Sequence, residues 1–200
     1  MDHPARGYCP PLDNHASIQG CKDVTVSTLA IEPLTKDAFA SFGTVIEIKD
    51  ATQIAINQGT TTRFDALSGV DVADKGGAPM ISLFRGTRRP DPIEIRLMER
   101  HPLGSQAFYP LSMHDWLVVV APGNEDDSAP DFTRLRCFHA AGNQGVSYAR
   151  GTWHHPLLVL QPEQDFLVID RKAPASEQAG SNLDEIWFED NDGVAALITP

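Results

Sequence analysis

The hydrophobic positions form short runs separated by Gly, Pro, Asn and Asp, which is typical of a mainly β protein. The run Trp116–Ala121 is continuously apolar, as in a strand that is buried on both faces. Further strand-like runs lie at 24–31, 44–48, 80–84, 92–99, 135–139, 146–150, 156–160 and 166–169. Short strands at regular spacing, with turns between them, predict a sandwich or a small barrel.

One short helix is predicted near the start of this pattern. Thr35 is a suitable N-cap and Gly43 a suitable stop, so residues 36–42 are expected to be helical. Helical periodicity is scarce after Gly43. Residues 1–22 are expected to be a loosely ordered extension, and residues 23–200 to form a single domain.

Composition narrows the range of function classes. The chain has 200 residues, 42% hydrophobic residues and a formal net charge of −11. An acidic chain without a Lys- or Arg-rich segment is not expected to bind nucleic acid, because phosphate contacts supply most of that affinity. No segment approaches the roughly 18 apolar residues of a membrane span, so we expect a cytoplasmic protein. Three widely spaced cysteines without a CxxC pair predict neither a disulfide framework nor a structural zinc site.

Strand alternation brings two chemically active side chains to the end of one strand. Because side chains alternate between faces, the aliphatic face of residues 92–98 continues to Glu99 and His101. This change is typical of a barrel with a packed floor and a site at its mouth. The competing interpretation ends the strand at Met98 and leaves Glu99 in a solvated loop. Residues 105–109 are expected to return as the partner strand.

Two other regions carry candidate chemistry. Arg85 follows Ile81 and Leu83 on one strand face, and a guanidinium at a cavity mouth suits a carboxylate. On spacing alone, a surface arginine is the simpler interpretation. Residues 145–156 contain a dense set of polar and aromatic side chains: Tyr148, Arg150, Trp153, His154 and His155. Adjacent histidines on a regular strand face opposite ways, so at most one enters a cavity unless Gly151 introduces a bulge. A core histidine with a satisfied hydrogen bond is an equally good interpretation of either.

Longer segments resemble those of one family. Residues 99–108, ERHPLGSQAF, are similar to the E-R-H-P-x-G-[ST]-Q-A-F segment of ureidoglycolate lyases. Residues 148–156 and 165–171 resemble the second and third signatures of that family. Weaker similarities cover residues 56–59 with Arg63, and residues 81–85. Together these ordered segments lie between about residues 29 and 190.

The resemblance implies a fold and an assembly. It implies a cupin-type double-stranded β-barrel with one or two short helices, a homodimer, and substrate bound inside the barrel. Residues 149–154 also resemble the second cupin motif P-x-G-x-x-H, with Ala in place of Pro. The H-x-H pair of the first cupin motif is missing, so no cofactor is certain; a divalent metal, if present, would use His101 and His154. Many family members carry His where this chain has Ala149, so position 149 supplies no catalytic base here.

The resemblance also implies an activity, the cleavage of (S)-ureidoglycolate to glyoxylate and urea in allantoin and purine degradation. Breaking the C–N bond needs a base for the hydroxyl proton, an acid for the leaving nitrogen and a cation for the carboxylate. Glu99 and His101 are the expected acid–base or base–orienter pair, with His154 as a competing acid or base. Eight further residues are expected to bind substrate: Arg63, Arg85 and Arg150 at its carboxylate, Asn57, Gln106 and Tyr148 at its ureido group, and also Trp153 and His155.

Two alternative functions stay open at this point. A metal-dependent cupin isomerase or dioxygenase would require stoichiometric bound metal, and the missing H-x-H pair argues against it. A non-catalytic cupin would bind a small carboxylate without turnover, and the grouping of Glu, His and Arg argues mildly against it.

Overall fold

The computed structural model describes residues 26–200, apart from the side chain of Asn191. Within this range there is one α-helix, α1 (Lys36–Phe39), and seventeen β-strands. The strands are β1 (Ser27–Thr28), β2 (Ile31–Pro33), β3 (Gly43–Ile46), β4 (Thr52–Ile56), β5 (Thr61–Asp65), β6 (Ala78–Thr87), β7 (Ile93–Ile95), β8 (Leu97–Arg100), β9 (Gln106–Pro110), β10 (Trp116–Ala121), β11 (Arg136–Ala140), β12 (Gly145–Tyr148), β13 (Trp153–His154), β14 (Leu158–Val159), β15 (Glu163–Lys172), β16 (Asp184–Trp187) and β17 (Ala196–Ile198). Short 3-10 helices lie at Asn57–Gly59, Asp74–Gly76, Phe132–Arg134 and Asn191–Gly193. The predicted mainly β class is confirmed.

Two large sheets pack face to face and enclose the main core. The seven-stranded sheet has the order β16-β8-β13-β10-β11-β2, with β14 also paired to β10. The five-stranded sheet has the order β3-β12-β9-β15-β6. The three-stranded sheet β1-β17-β7 has its own hydrophobic contacts with the seven-stranded sheet, and β4 and β5 form a separate hairpin. Double-sheeted packing of this kind agrees with the cupin-type expectation, although the pairings among residues 26–200 do not close the two large sheets into one continuous barrel.

Strand β10 explains how the layers fit together, because all six of its residues are buried. Trp116, Val118 and Val120 belong to the core between the two large sheets. The alternate residues Leu117, Val119 and Ala121 belong to a second core with β7 and β17. The prediction of a strand buried on both faces is therefore confirmed, and its lack of alternation follows from having a hydrophobic neighbour on each side.

The helix begins as predicted and ends earlier than predicted. The Thr35 hydroxyl accepts a hydrogen bond from the Ala38 amide at 3.2 Å, as an N-cap side chain does. The α-helix ends at Phe39 instead of Phe42, and both rings turn into the core. Gly43 then begins β3 with φ of 147°, where a Cβ atom would collide with the Ser147 carbonyl oxygen. A glycine is required at this close approach.

The predicted strand over residues 92–99 is wrong in one respect, because it is divided at Arg96 into β7 and β8, which lie in different sheets. Met98, and not Leu97, shares a core with Ile95, so the alternation shifts by one residue at the division. The predicted hairpin partner is also wrong: β9 crosses to the five-stranded sheet and pairs with β12 and β15. Alternation within a segment does not reveal where the chain passes from one sheet to another.

Three further expectations have separate outcomes. Cys137 is fully buried in the second core, as expected for a small apolar residue, and burial raises the pKa of its thiol to about 12. The expected extension at residues 1–22 lies outside the described residues. No helix within residues 26–200 is long and apolar enough to cross a membrane.

Candidate active site

Strands β8 and β13 bring the predicted catalytic side chains together. The two strands are adjacent and antiparallel, with Glu99 directly opposite His154. His101 follows β8 by one residue, and its ring centroid is 5.5 Å from that of His154. One potential ligand atom from each of the three residues lies within 4.8 Å of the others. We call Glu99, His101 and His154 the EHH cluster.

Backbone carbonyls fix both histidine rings of the EHH cluster. Nδ1 of His101 donates to the Asn182 carbonyl at 2.8 Å, and Nδ1 of His154 donates to the Thr152 carbonyl at 2.9 Å. Because a carbonyl only accepts, each Nδ1 carries a proton, and each Nε2 of a neutral ring has a free lone pair. His154 Nε2 is 3.4 Å from the Glu99 carboxylate, and both Nε2 atoms are buried without a hydrogen bond. These two Nε2 atoms are therefore available to accept a proton, to accept a hydrogen bond from a substrate or to bind a cation.

Burial sets the electrostatics of the cluster. Burial and the neighbouring His154 lower the pKa of His101, which favours the neutral, proton-accepting ring. Burial alone would raise the pKa of Glu99, but the neighbouring His154 ring, 3.4 Å from the carboxylate, holds it below its usual value. Burial also lowers the pKa of His155 to about 4 and raises that of Tyr148. The Tyr148 ring stacks on His154 with 4.1 Å between centroids, so it supports that imidazole from one side.

Two cavities border the EHH cluster. One, of about 270 Å³, touches His101 and is also lined by Gln106 and Asp170. We call it the His101 cavity. The other, of about 480 Å³, touches Glu99, and we call it the Glu99 cavity. Its other lining residues are Phe84, Arg85, Gly86, Thr87, Arg89, Phe108, Pro156 and Leu157. A small substrate bound at the cluster can therefore place one end in the His101 cavity and the other end in the Glu99 cavity.

Among the predicted substrate-binding residues, the structure brings Gln106, Tyr148 and His155 to the vicinity of the cluster. Gln106 lines the His101 cavity, and Tyr148 packs on His154. His155 is buried, with Nδ1 on the Pro156 carbonyl at 2.7 Å. Trp153 points to the opposite face of β13, into the second core, where the Arg100 guanidinium lies 4.5 Å above its ring.

The three predicted carboxylate-binding arginines are all paired with carboxylates. Arg85 lies on the outer face of β6 and forms two hydrogen bonds with Asp165, although it also borders the Glu99 cavity. Arg150 binds Asp71 and Asp74 and lines a separate cavity of about 630 Å³ that the EHH cluster does not border. Arg63 pairs with Asp65 in the β4–β5 hairpin.

The β4–β5 hairpin also carries Asn57, in the turn that joins the two strands, and most of its residues are exposed. Neither Asn57 nor Arg63 lines either of the cavities that border the EHH cluster. A role for these two residues in substrate binding therefore requires movement of the hairpin or a second copy of the chain.

Sequence reasoning did not identify three residues near the cluster. Asn182 binds the His101 ring through its carbonyl and the Leu103 amide through its side chain. Arg89 borders the Glu99 cavity and has no hydrogen bond or ion pair within residues 26–200. Asp170 had a usable signal, because strand alternation from Phe166 places it at the end of the inward face. No comparable signal exists for Asn182, which lies in an irregular segment.

Comparison with known proteins identifies the family. Residues 26–195 match the family described as ureidoglycolate lyase. The chain belongs to the ureidoglycolate lyase family. It is 50% identical over 167 residues to a ureidoglycolate lyase of Burkholderia mallei, covering 83% of this chain and 96% of that protein. It is 48% identical over 164 residues to a ureidoglycolate lyase of Pseudomonas syringae, covering 82% and 92%. A Brucella anthropi ureidoglycolate lyase is 50% identical over 165 residues, also covering 82% and 92%.

Family membership confirms the resemblance that residues 99–108 and 148–156 indicated. These two segments supply all three residues of the EHH cluster of this ureidoglycolate lyase family member, together with Gln106 and Tyr148. A solved dTDP sugar isomerase from Desulfovibrio desulfuricans aligns with 75% of the chain at 16% identity, with a TM-score of 0.42.

Proposed function

We propose that this protein is a carbon–nitrogen lyase that cleaves ureidoglycolate to glyoxylate and urea. The observation that carries the proposal is the EHH cluster, a half-buried carboxylate and two oriented imidazoles between two cavities. General acid–base groups contribute about 10²–10⁴-fold to such reactions. The family membership supports the same substrate.

The geometry supports a role for each member of the cluster. His101, neutral and with a free Nε2 lone pair, accepts the proton of the substrate hydroxyl as the carbonyl forms. The C–N bond breaks with its electron pair on the leaving nitrogen. His154 in its protonated form, with Nε2 3.4 Å from the Glu99 carboxylate, donates its Nε2 proton to that nitrogen. Glu99 therefore orients His154 and balances its charge, and the products are glyoxylate and urea.

The substrate carboxylate is proposed to lie in the Glu99 cavity, where Arg85 and Arg89 lie at the rim. A guanidinium can donate two hydrogen bonds to a carboxylate. Arg85 already binds Asp165, so Arg89 is the additional cation at this rim. Arg150 acts on the loop that carries Asp71 and Asp74 instead, so we no longer expect it to contact the substrate.

A second interpretation of the EHH cluster is a divalent-cation site. One carboxylate oxygen and two imidazole nitrogens within 4.8 Å of one another suit such an ion. Each imidazole also donates Nδ1–H to a carbonyl, as ligating histidines commonly do. A bound cation would supply Lewis-acid polarisation of a substrate oxygen. Glu99, His101 and His154 would then hold the ion.

One experiment tests the activity and separates these two interpretations. EDTA-treated, dialysed protein is incubated with racemic ureidoglycolate, and urea, glyoxylate and ammonia are measured together. We expect equal amounts of urea and glyoxylate and no ammonia. Turnover that appears only after a divalent metal is restored would replace the acid–base interpretation with the cation site. Ammonia release would contradict the lyase. Binding without turnover under either condition would favour a non-catalytic cupin.

We also propose that two copies of the chain associate through the outer face of the five-stranded sheet. Ile81 and Leu83 lie on this face and are 70% and 67% exposed, which is unusual for aliphatic residues in the middle of a strand. Replacing Leu83 with Glu should convert a particle of twice the 21.8-kDa chain mass into a monomer in analytical ultracentrifugation. Met113→Glu, at a residue 76% exposed outside this sheet, is the control. A monomeric wild-type protein would overturn the proposal.

Cytoplasmic localisation stays a prediction.

A further inference from the structure

Three hydrogen-bond acceptors that line the His101 cavity have no partner within residues 26–200. They are His101 Nε2, Gln106 Oε1 and Asp170 Oδ1. Gln106 is only 7% exposed, so water contributes little to its solvation. A buried acceptor without a hydrogen bond is energetically costly, so a ligand that supplies the missing donor binds more favourably. The cavity therefore favours a ligand group that is rich in N–H donors.

Neighbouring strands of the five-stranded sheet position two of these acceptors. Val168 on β15 pairs with Phe108 on β9, and both are buried in the main core. Asp170 follows Val168 by two residues, and Gln106 precedes Phe108 by two residues. Both therefore lie on the same inward face. Burial raises the pKa of the Asp170 carboxyl and outweighs the opposing effects of His101 and Gln106. The core below holds both side chains at the cavity wall.

The positive charge in this cavity is already committed. Arg171 forms two hydrogen bonds with Glu177 and also donates to the Asp74 carbonyl. Its side chain is fully buried in these contacts. A carboxylate placed here would meet the Asp170 carboxylate without a free cation. The His101 cavity therefore discriminates against the carboxylate end of a substrate.

We propose that Asp170, with Gln106, binds the ureido end of the substrate and determines specificity for it. This inference rests on the proposed lyase function and adds a residue to it. A ureido group, –NH–CO–NH₂, has three N–H donors, of which Gln106 Oε1 and Asp170 Oδ1 can accept two, while His101 Nε2 stays available for the substrate hydroxyl. Binding the ureido end beside His101 and the carboxylate end beside Arg89 places the carbon between them at the EHH cluster.

The two products of the reaction allow a selective test, because urea retains the ureido donors and glyoxylate does not. In Asp170→Asn, which exchanges one carboxylate oxygen for an amide donor, we expect KM for ureidoglycolate to rise by about 10- to 100-fold. The inhibition constant for urea should rise by a similar factor, and the constant for glyoxylate should not change. The matched control is Asp50→Asn, because Asp50 is exposed and is distant in the sequence from Asp170. Urea is kept below the concentration at which circular dichroism detects unfolding.

Gln106→Met is a second variant, in which a side chain of similar length lacks the acceptor. We expect it to weaken the binding of urea more than the binding of glyoxylate. Unchanged KM and urea inhibition in folded Asp170→Asn would overturn the assignment. So would a fall in kcat at unchanged KM, which would make Asp170 a partner of His101 in the chemical step. Wild-type protein that does not cleave ureidoglycolate would overturn the proposed function itself. Calorimetric binding of urea to wild type and not to Asp170→Asn would still support the acceptor site.

Discussion

Replacing His101 with Ala should lower kcat/KM for ureidoglycolate by about 10²–10⁴-fold. The change removes the buried Nε2 acceptor that faces the His101 cavity and the hydrogen bond from Nδ1 to the Asn182 carbonyl. The loss follows because His101 is the one histidine of residues 26–200 that lines this cavity. Initial rates of urea and glyoxylate release measure it directly.

The matched control for this variant is His139→Ala. His139 is 44% exposed in its side chain and pairs with Asp115 at 3.1 Å, on a strand that does not carry the EHH cluster. We expect its activity to equal that of wild type. Partial recovery of His101→Ala by added imidazole would strengthen the assignment. Near-normal turnover in folded His101→Ala would remove His101 from the mechanism.

Replacing Trp116 with Ala should lower the free energy of unfolding by about 3–5 kcal/mol, the usual range for a large buried aromatic. Trp116 is 1% exposed, and its ring centroid is 4.9 Å from that of Phe166 across the two large sheets. Its indole N–H also donates to the Gln144 carbonyl at 3.1 Å. Ala would leave a cavity between the sheets and an unpaired carbonyl. Guanidinium chloride unfolding followed by circular dichroism measures the change.

Trp187→Ala is the control for this stability measurement. Trp187 is 56% exposed on β16, at the edge of the seven-stranded sheet, and we expect a loss within about 0.5 kcal/mol. A loss below about 1 kcal/mol for Trp116→Ala would mean that Trp116 is not central to packing between the sheets. Urea is unsuitable as the denaturant here because it is a proposed product.

The candidate site was predictable to the extent that local alternation determines it. Glu99 and His101 lie two residues apart, and so face the same side, and the family segment that contains them was recognisable from its letters. The same alternation along residues 166–170 places Asp170 on the inward face, but alternation alone does not distinguish it from any other polar residue at a strand end. Arg85 was placed correctly beside Ile81 and Leu83, but their shared face points outward. Alternation assigns residues to the same face and does not say which face is buried.

The sequence by itself determined the mainly β class, the N-cap at Thr35, the doubly buried strand β10 and the family. Each of these depends on residues that are close together in the sequence, or on several motifs that follow one another in the order typical of the family. Only the tertiary structure decided that the strand over 92–99 divides at Arg96, that β9 crosses to the opposite sheet, and that Asn182 orients His101. These features depend on contacts between residues that are far apart in the chain, such as His101 and Asn182, which are 81 positions apart. Sheet pairing of this kind is decided by packing across the whole core.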